Sequence, residues 1–170
     1  LMELTSTPVA KKPSDCSPAE ISSFVALAIE GGEIAPAGLA RRVRCAERLV
    51  FFPGPDSLQG IAALKNPGQE YRDYIAMSSG AALPSSCFPY ELGWVVVSPT
   101  ARGRGLSYSL SVVALEPAGR GGVFATSHND RMHSTLLKLG FVPAGSSYPS
   151  RLGDRLLQLF LRGAPPAKKG

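Results

Sequence analysis

The residues with most to offer chemically lie between a run of β-formers and a helix start: Val97-Ser98-Pro99-Thr100-Ala101-Arg102-Gly103-Arg104-Gly105-Leu106-Ser107. A helix N-terminus leaves about four backbone N–H groups without intrahelical partners, and its aligned dipoles add roughly half a positive charge. Such an end is a preformed phosphate site. Gly103 and Gly105 let the backbone approach a ligand, since no Cβ intervenes. Arg102 and Arg104 add charge. The same letters also suit a tight strand-to-helix turn with surface arginines. The P-loop pattern GxxxxGK[ST] is absent, and Gly103-x-Gly105 lacks the third glycine of the dinucleotide fingerprint, so both nucleotide readings are poor.

The elements that would hold this loop can be read on either side of it. Tyr90 to Val97 contains Trp94, Val95, Val96 and Val97 in one apolar run, as a strand buried on both faces requires. Pro99 ends it. After the loop, Leu106, Leu110 and Val113 share a helical face, and Pro117 and Gly119 close that helix. Val123 to Thr126 reads as a strand. Asn129 to Leu139 reads as a helix, with Met132, Leu136 and Leu139 on one face and Gly140 just past its end. Phe141 to Ala144 and Leu156 to Leu161 are the last strands. Upstream, Ser17-Pro18-Ala19-Glu20 is a capping box with a prolyl start, and Gly31-Gly32 stops the helix it opens. A second helix runs from about Pro36 to Ala46, with Arg41, Arg42 and Arg44 on its polar side. Leu49 to Phe52 and Leu58 to Leu64 form a hairpin around Pro53-Gly54-Pro55-Asp56. Residues 69–89 are ambiguous: Tyr71 to Met77 suits a helical turn, and 78–86 reads as loop. The order is that of a mixed α/β domain with one sheet.

The chain has 170 residues, enough for one domain with a core of its own. It is 44% hydrophobic and 18% charged, which excludes disorder over most of its length. The net charge of +5 is diffuse; it suits an anionic ligand without demanding nucleic acid. Cys16, Cys45 and Cys87 are far apart, no CxxC pair exists and there are 2 histidines, so neither a zinc site nor a disulfide scaffold is expected. A reducing cytoplasm is the expected compartment. Leu1 to Lys12 has no signal-peptide core, and no run approaches the ~20 apolar residues of a membrane span. Residues 1–16 read as a flexible lead-in, 17–162 as a single domain and 163–170 as a disordered tail.

Taken with its surroundings, the loop resembles motif A of the GNAT superfamily of N-acetyltransferases, whose signature is Gln/Arg-x-x-Gly-x-Gly/Ala; here it reads Arg102-x-x-Gly105-x-Ser107. Val97-x-Pro99 matches the usual strand end before it. Asn129 to Phe141 resembles motif B, where an Asn is followed 12 residues later by the Phe of a Leu-Gly-Phe ending. The resemblance covers roughly residues 48–162 and is tight over 91–107 and 129–141. It implies a central, mixed, mostly antiparallel twisted sheet of about 6–7 strands flanked by about 4 helices. It further implies acetyl-CoA as cosubstrate, an amine as acceptor, direct transfer in a ternary complex and no metal. A homodimer stays open.

The resemblance also implies roles. The pyrophosphate of acetyl-CoA would lie on the backbone of Arg102, Gly103, Arg104, Gly105, Leu106 and Ser107. Ser107 departs from Gly/Ala but stays small. The pantetheine arm would pair like an added strand with Val95, Val96 and Val97, where its amides find partners. The Val97 N–H would polarise the thioester carbonyl. Asn129 would contact the pantetheine or cap its helix. Glu91 would accept the amine's proton, or else be a solvent-facing carboxylate at a strand end. The tyrosine that many relatives carry 7 residues after the Asn is Leu136 here, which cannot protonate a leaving thiolate. Either the thiolate leaves unassisted, which a thiol pKa of ~8.5 permits, or another group protonates it, with Ser134, Tyr108 and Tyr148 as candidates; Ser134 is also placed at the cofactor, and His128 and His133 stand nearby in sequence. Tyr71 and Tyr74 could wall an acceptor site, and Arg41, Arg42, Arg44 and Arg48 form a basic face. A GNAT-fold module that binds CoA without turning it over is the rival reading.

Overall fold

The computed structural model describes residues 6–32 and 34–163. The first helix, α1 (Pro18–Glu30), starts where its capping box stands. Ser17 Oγ accepts from the Glu20 N–H at 3.1 Å, and Glu20 Oε1 accepts from the Ser17 N–H at 2.9 Å. A shorter second helix, α2 (Leu39–Arg44), follows. The strands β2 (Arg48–Pro53) and β3 (Leu58–Lys65) form the expected hairpin. Then come α3 (Gln69–Ser79), β4 (Tyr90–Val97), α4 (Leu106–Leu115), β5 (Val123–Ser127), α5 (Asp130–Lys138), β6 (Val142–Pro149) and β7 (Leu156–Arg162).

The lead-in reading of residues 1–16 gives way over part of its length. Val9–Lys11 form a short strand, β1, on the open edge of β2, with Ala10 opposite Val50. Lys11 Nζ also reaches Glu20 Oε2 at 2.6 Å, tying the strand to α1. Backbone pairing and one ion pair hold this strand, and neither shows in three residues of sequence. Residues 1–5, and all of the expected tail except Gly163, lie outside the described residues. Five α-helices stand among the described residues where about four were expected, because 69–79 is a full helix and not a turn.

One 7-stranded sheet runs in the order β1-β2-β3-β4-β5-β7-β6. All pairs are antiparallel except β4–β5. Helices cover both faces. Phe24 and Leu27 of α1 and Val43 of α2 pack on Leu49, Ile61 and Trp94. On the same face, Ile75 of α3 packs on Phe124, Tyr148 and Leu159. The opposite face is covered by α4 and α5, through Leu106, Leu110, Ala114 and Leu136 against Leu64, Leu92, Ala125 and Phe160. No helix of the described residues is long and apolar enough to cross a membrane.

Candidate active site

The site begins where the one parallel pairing among the described residues fails. β4 and β5 are in register at Tyr90–Val123 and Glu91–Phe124 and at no later position. Beyond Glu91, β5 continues along β7 to Ser127–Gln158, while β4 continues along β3 to Val97–Gly60. The two strands diverge and open a cleft of ≈ 1490 Å³ lined by Val95, Val96 and Val97. The Ser98 N–H donates to the Gln59 carbonyl at 2.8 Å, on the β3 side. Strand N–H groups alternate in direction, so that of Val97 points across the gap.

β4 carries a bulge at the head of this gap. Its register against β3 shifts between Ala63–Gly93 and Ile61–Val96. Trp94 sits at φ 48°, a left-handed conformation that is rare for a bulky residue. Val95 and Val97 therefore pack towards α4, while Trp94 and Val96 pack towards α1 and α2.

At one end of the cleft lies the glycine loop. Gly103 (φ 83°) and Gly105 (φ 71°) are both left-handed, as glycine permits. Gly105 is the N-cap of α4 and supplies no side-chain cap, so the first N–H groups of that helix stay open for an anion. A Cβ at either glycine would meet no atom within 4 Å, which marks the space above them as vacant. Arg102 and Ser107 also line the cleft.

Further along, Glu91 is buried, with 2% of its surface exposed. Its Oε1 lies 2.7 Å from Lys65 Nζ, and its Oε2 accepts from the Tyr71 hydroxyl at 2.8 Å. Lys65 Nζ is 4.4 Å from the Trp94 ring centroid and 5.5 Å from that of Tyr71. The carboxyl group is thus paired with an ammonium and placed by a hydrogen bond, on the α1–α3 side of the sheet. Burial and then the Glu91 charge raise the ionisation of the Tyr71 and Tyr148 hydroxyls above the ordinary phenol range. The folded state resists losing these protons, while unfolded tyrosines release theirs near pH ~10. Stability is accordingly kept below about pH 10 and falls above it. In an alkaline titration, 2 of the 5 tyrosines should ionise only together with loss of near-ultraviolet dichroism; ionisation of all 5 with the fold intact would contradict the burial of these hydroxyls.

The fold has clear relatives among solved structures. An acyl-CoA N-acyltransferase from Pseudomonas aeruginosa superposes with a TM-score of 0.69 at 18% identity, over 94% of this chain and 100% of that one. This chain has the GNAT fold. Escherichia coli ElaA superposes with a TM-score of 0.70 at 15% identity, over 93% of this chain and 99% of that one. FeeM, an N-acyl amino acid synthase from uncultured soil microbes, gives 0.72 at 16% identity, over 94% and 92%. No family model matches the sequence, and no curated protein matches it.

Within this GNAT fold most of the expected residues converge on the cleft, but not all in the expected way. Arg104 is turned out of it: one Nη donates to Gln59 Oε1 at 2.7 Å, so its charge is spent on the loop's own fold. Its backbone remains in the loop. Asn129 is the N-cap of α5, accepting from the N–H groups of Arg131 at 2.9 Å and Met132 at 3.2 Å, and it also lines the cleft. Ser134 is not brought to the site. The cleft-facing side of α5 runs through Met132, Thr135 and Leu136, and Ser134 lies off it, donating to the Asp130 carbonyl at 3.3 Å. Leu136 is fully buried. Tyr148 is buried between α3 and the sheet, whereas Tyr108 stands half-exposed at the cleft mouth. His133 has a structural setting, its Nε2 lying 2.8 Å from the Ser127 carbonyl and its ring on Phe160.

Two residues, one in the cleft and one supporting it, carried no sequence signal. Lys65 pairs with Glu91 only through the β3–β4 register. Arg72 of α3 is buried (3% exposed) and donates to the carbonyls of Pro67, Phe88 and Pro89, the segments that flank α3 and lead into β4.

Proposed function

We propose that this protein transfers an acetyl group from acetyl-CoA to an amine, directly and within a ternary complex. The observation that carries this reading is the split between β4 and β5, with an uncapped helix N-terminus at its mouth. Acyltransferases share this fold, and the residues of the split suit a long, amide-bearing, anionic thioester. The N–H groups of Arg102 to Ser107 receive the pyrophosphate. The open edge of Val95 to Val97 receives the pantetheine amides as an added strand would be received. A free N–H on that edge polarises the thioester carbonyl.

An alkyl ammonium has a pKa of ~10.4 and must lose a proton before it can attack. Glu91 takes that proton up, and Tyr71 holds the carboxylate in place. The amine nitrogen then bonds to the carbonyl carbon, the C–S bond breaks and the sulfur leaves as thiolate. With Leu136 buried, no side-chain acid is needed there, since a thiol of pKa ~8.5 leaves readily as its anion. The three free cysteines support a reducing, cytoplasmic setting.

Thermal unfolding tests the reading. Acetyl-CoA or CoA at ~100 times its dissociation constant is expected to stabilise the fold by about 2.7 kcal/mol, a rise of several degrees in Tm, and ATP is expected to leave Tm unchanged. No rise at millimolar acetyl-CoA would remove the acyltransferase reading. A rise with no acetylation of any amine would leave a CoA-binding module.

A further inference from the structure

The two sides of the cleft differ in what they offer. The α4 side holds the glycine loop. The opposite side is rimmed by α2, by α3 and by the turn between β6 and β7. It carries Arg41, Arg42, Lys65 and Arg151. Among the described residues lining this side, the one carboxylate is Glu91, and Lys65 already matches its charge at 2.7 Å. Glu70, Asp73 and Asp154 stand on the same rim elements outside the cleft lining, so the excess of positive charge lies inside it, with Arg41, Arg42 and Arg151, and disfavours a polycation there.

Arg151 is also oriented. Its guanidinium carbon lies 3.4 Å from the centroid of the Tyr74 ring, so the face of the group is spent on stacking. The N–H groups of a guanidinium lie in its plane, and stacking leaves that edge able to grip a carboxylate with two parallel hydrogen bonds.

We propose that the acceptor amine carries a carboxylate, held by Arg151 and drawn in by Arg41 and Arg42, so that the substrate is an amino acid or a similarly small amino-carboxylate. This rests on the acyltransferase reading. Glu91 and the thioester meet the amine, while the arginine-rich rim meets the acid at the other end of the same molecule.

The test is a panel of the common amino acids, each beside its own carboxamide, with spermidine as a polycation, assayed for thiol release from acetyl-CoA. At least one amino acid should exceed its carboxamide in kcat/KM by about tenfold or more, as a lost charge-assisted hydrogen bond predicts. Arg151→Gln should lower that acid-to-amide ratio about tenfold, mainly through KM for the acid. The acetyl-CoA shift in Tm reports whether the variant is folded, and Arg41→Gln, with a smaller drop in the same ratio, serves if it is not. Equal or better turnover of the carboxamides, preference for spermidine, or no turnover of any panel member while acetyl-CoA still raises Tm would each overturn the proposal and leave acyl-CoA binding standing. Absence of the Tm shift itself would instead fail the acyltransferase reading, and this proposal with it.

Discussion

Glu91→Gln should lower kcat by about a hundredfold or more while acetyl-CoA still raises Tm, since a positioned general base contributes roughly 10²–10⁴. Glutamine keeps the shape of the side chain and can still accept from Tyr71. What it loses is the negative charge and the basic oxygen. The glycine loop belongs to another part of the cleft, so acetyl-CoA binding, as proposed, should survive. The complication is Lys65, whose side chain is 18% exposed and whose ammonium loses its partner. Breaking a buried pair from one side is costly, about 3–5 kcal/mol, although the Trp94 and Tyr71 rings remain to hold the cation. The double variant Lys65→Met/Glu91→Gln removes both charges and should recover most of the lost stability without recovering turnover. Steady-state kinetics and Tm on the two variants separate the effects. Turnover by Glu91→Gln within about twofold of the parent would reject the base.

The largest loss of stability is expected at Arg72. Its guanidinium donates to the carbonyls of Pro67, Phe88 and Pro89 and lies over the Phe124 ring at 5.3 Å. Leucine in its place strands three acceptors, each costing about 1–3 kcal/mol when it cannot reach water. Part of that relaxes, and Arg72→Leu should destabilise by about 3–5 kcal/mol, as for other buried charged networks that lose one member. Arg72→Lys should rescue little, because a point charge on a flexible stem cannot serve three carbonyls held in a fork. Urea unfolding with an unchanged slope measures this directly. A loss below about 1 kcal/mol would mean that the three carbonyls find water or other donors.

Arg72 also shows why part of the fold escaped the sequence. The buried positions of α3 are Arg72, Ile75 and Ser79. A helix whose inner face is led by an arginine has no apolar stripe to read. β1 was invisible for a different reason, since its hold on the sheet is almost wholly backbone. By contrast, the apolar run of β4, the two left-handed glycines and the capping residues Ser17 and Asn129 were legible because each is a local rule that the tertiary structure obeys. At the site, the glycine loop was legible in its own residues, and the strand edge followed from the resemblance to the GNAT motifs. The environment of Glu91 was not legible, because its partners Lys65 and Tyr71 come from other elements and meet it only once register and packing are fixed.

The bulge in β4 makes this strand unforgiving of added residues. Glu91, Gly93, Trp94 and Val96 share the arginine-rich side of the sheet, while Leu92, Val95 and Val97 share the α4 side. Deleting the extra residue of the bulge would leave Val95, Val96 and Val97 on their present sides, but inserting one residue beyond it would exchange the two sets from there on. Val96 would then meet α4, and the edge presented to the thioester would be turned over. Point substitutions, and a deletion that removes the bulge, can be absorbed along such a strand, whereas single-residue insertions between positions 94 and 97 should be strongly selected against in any descendant that keeps its chemistry.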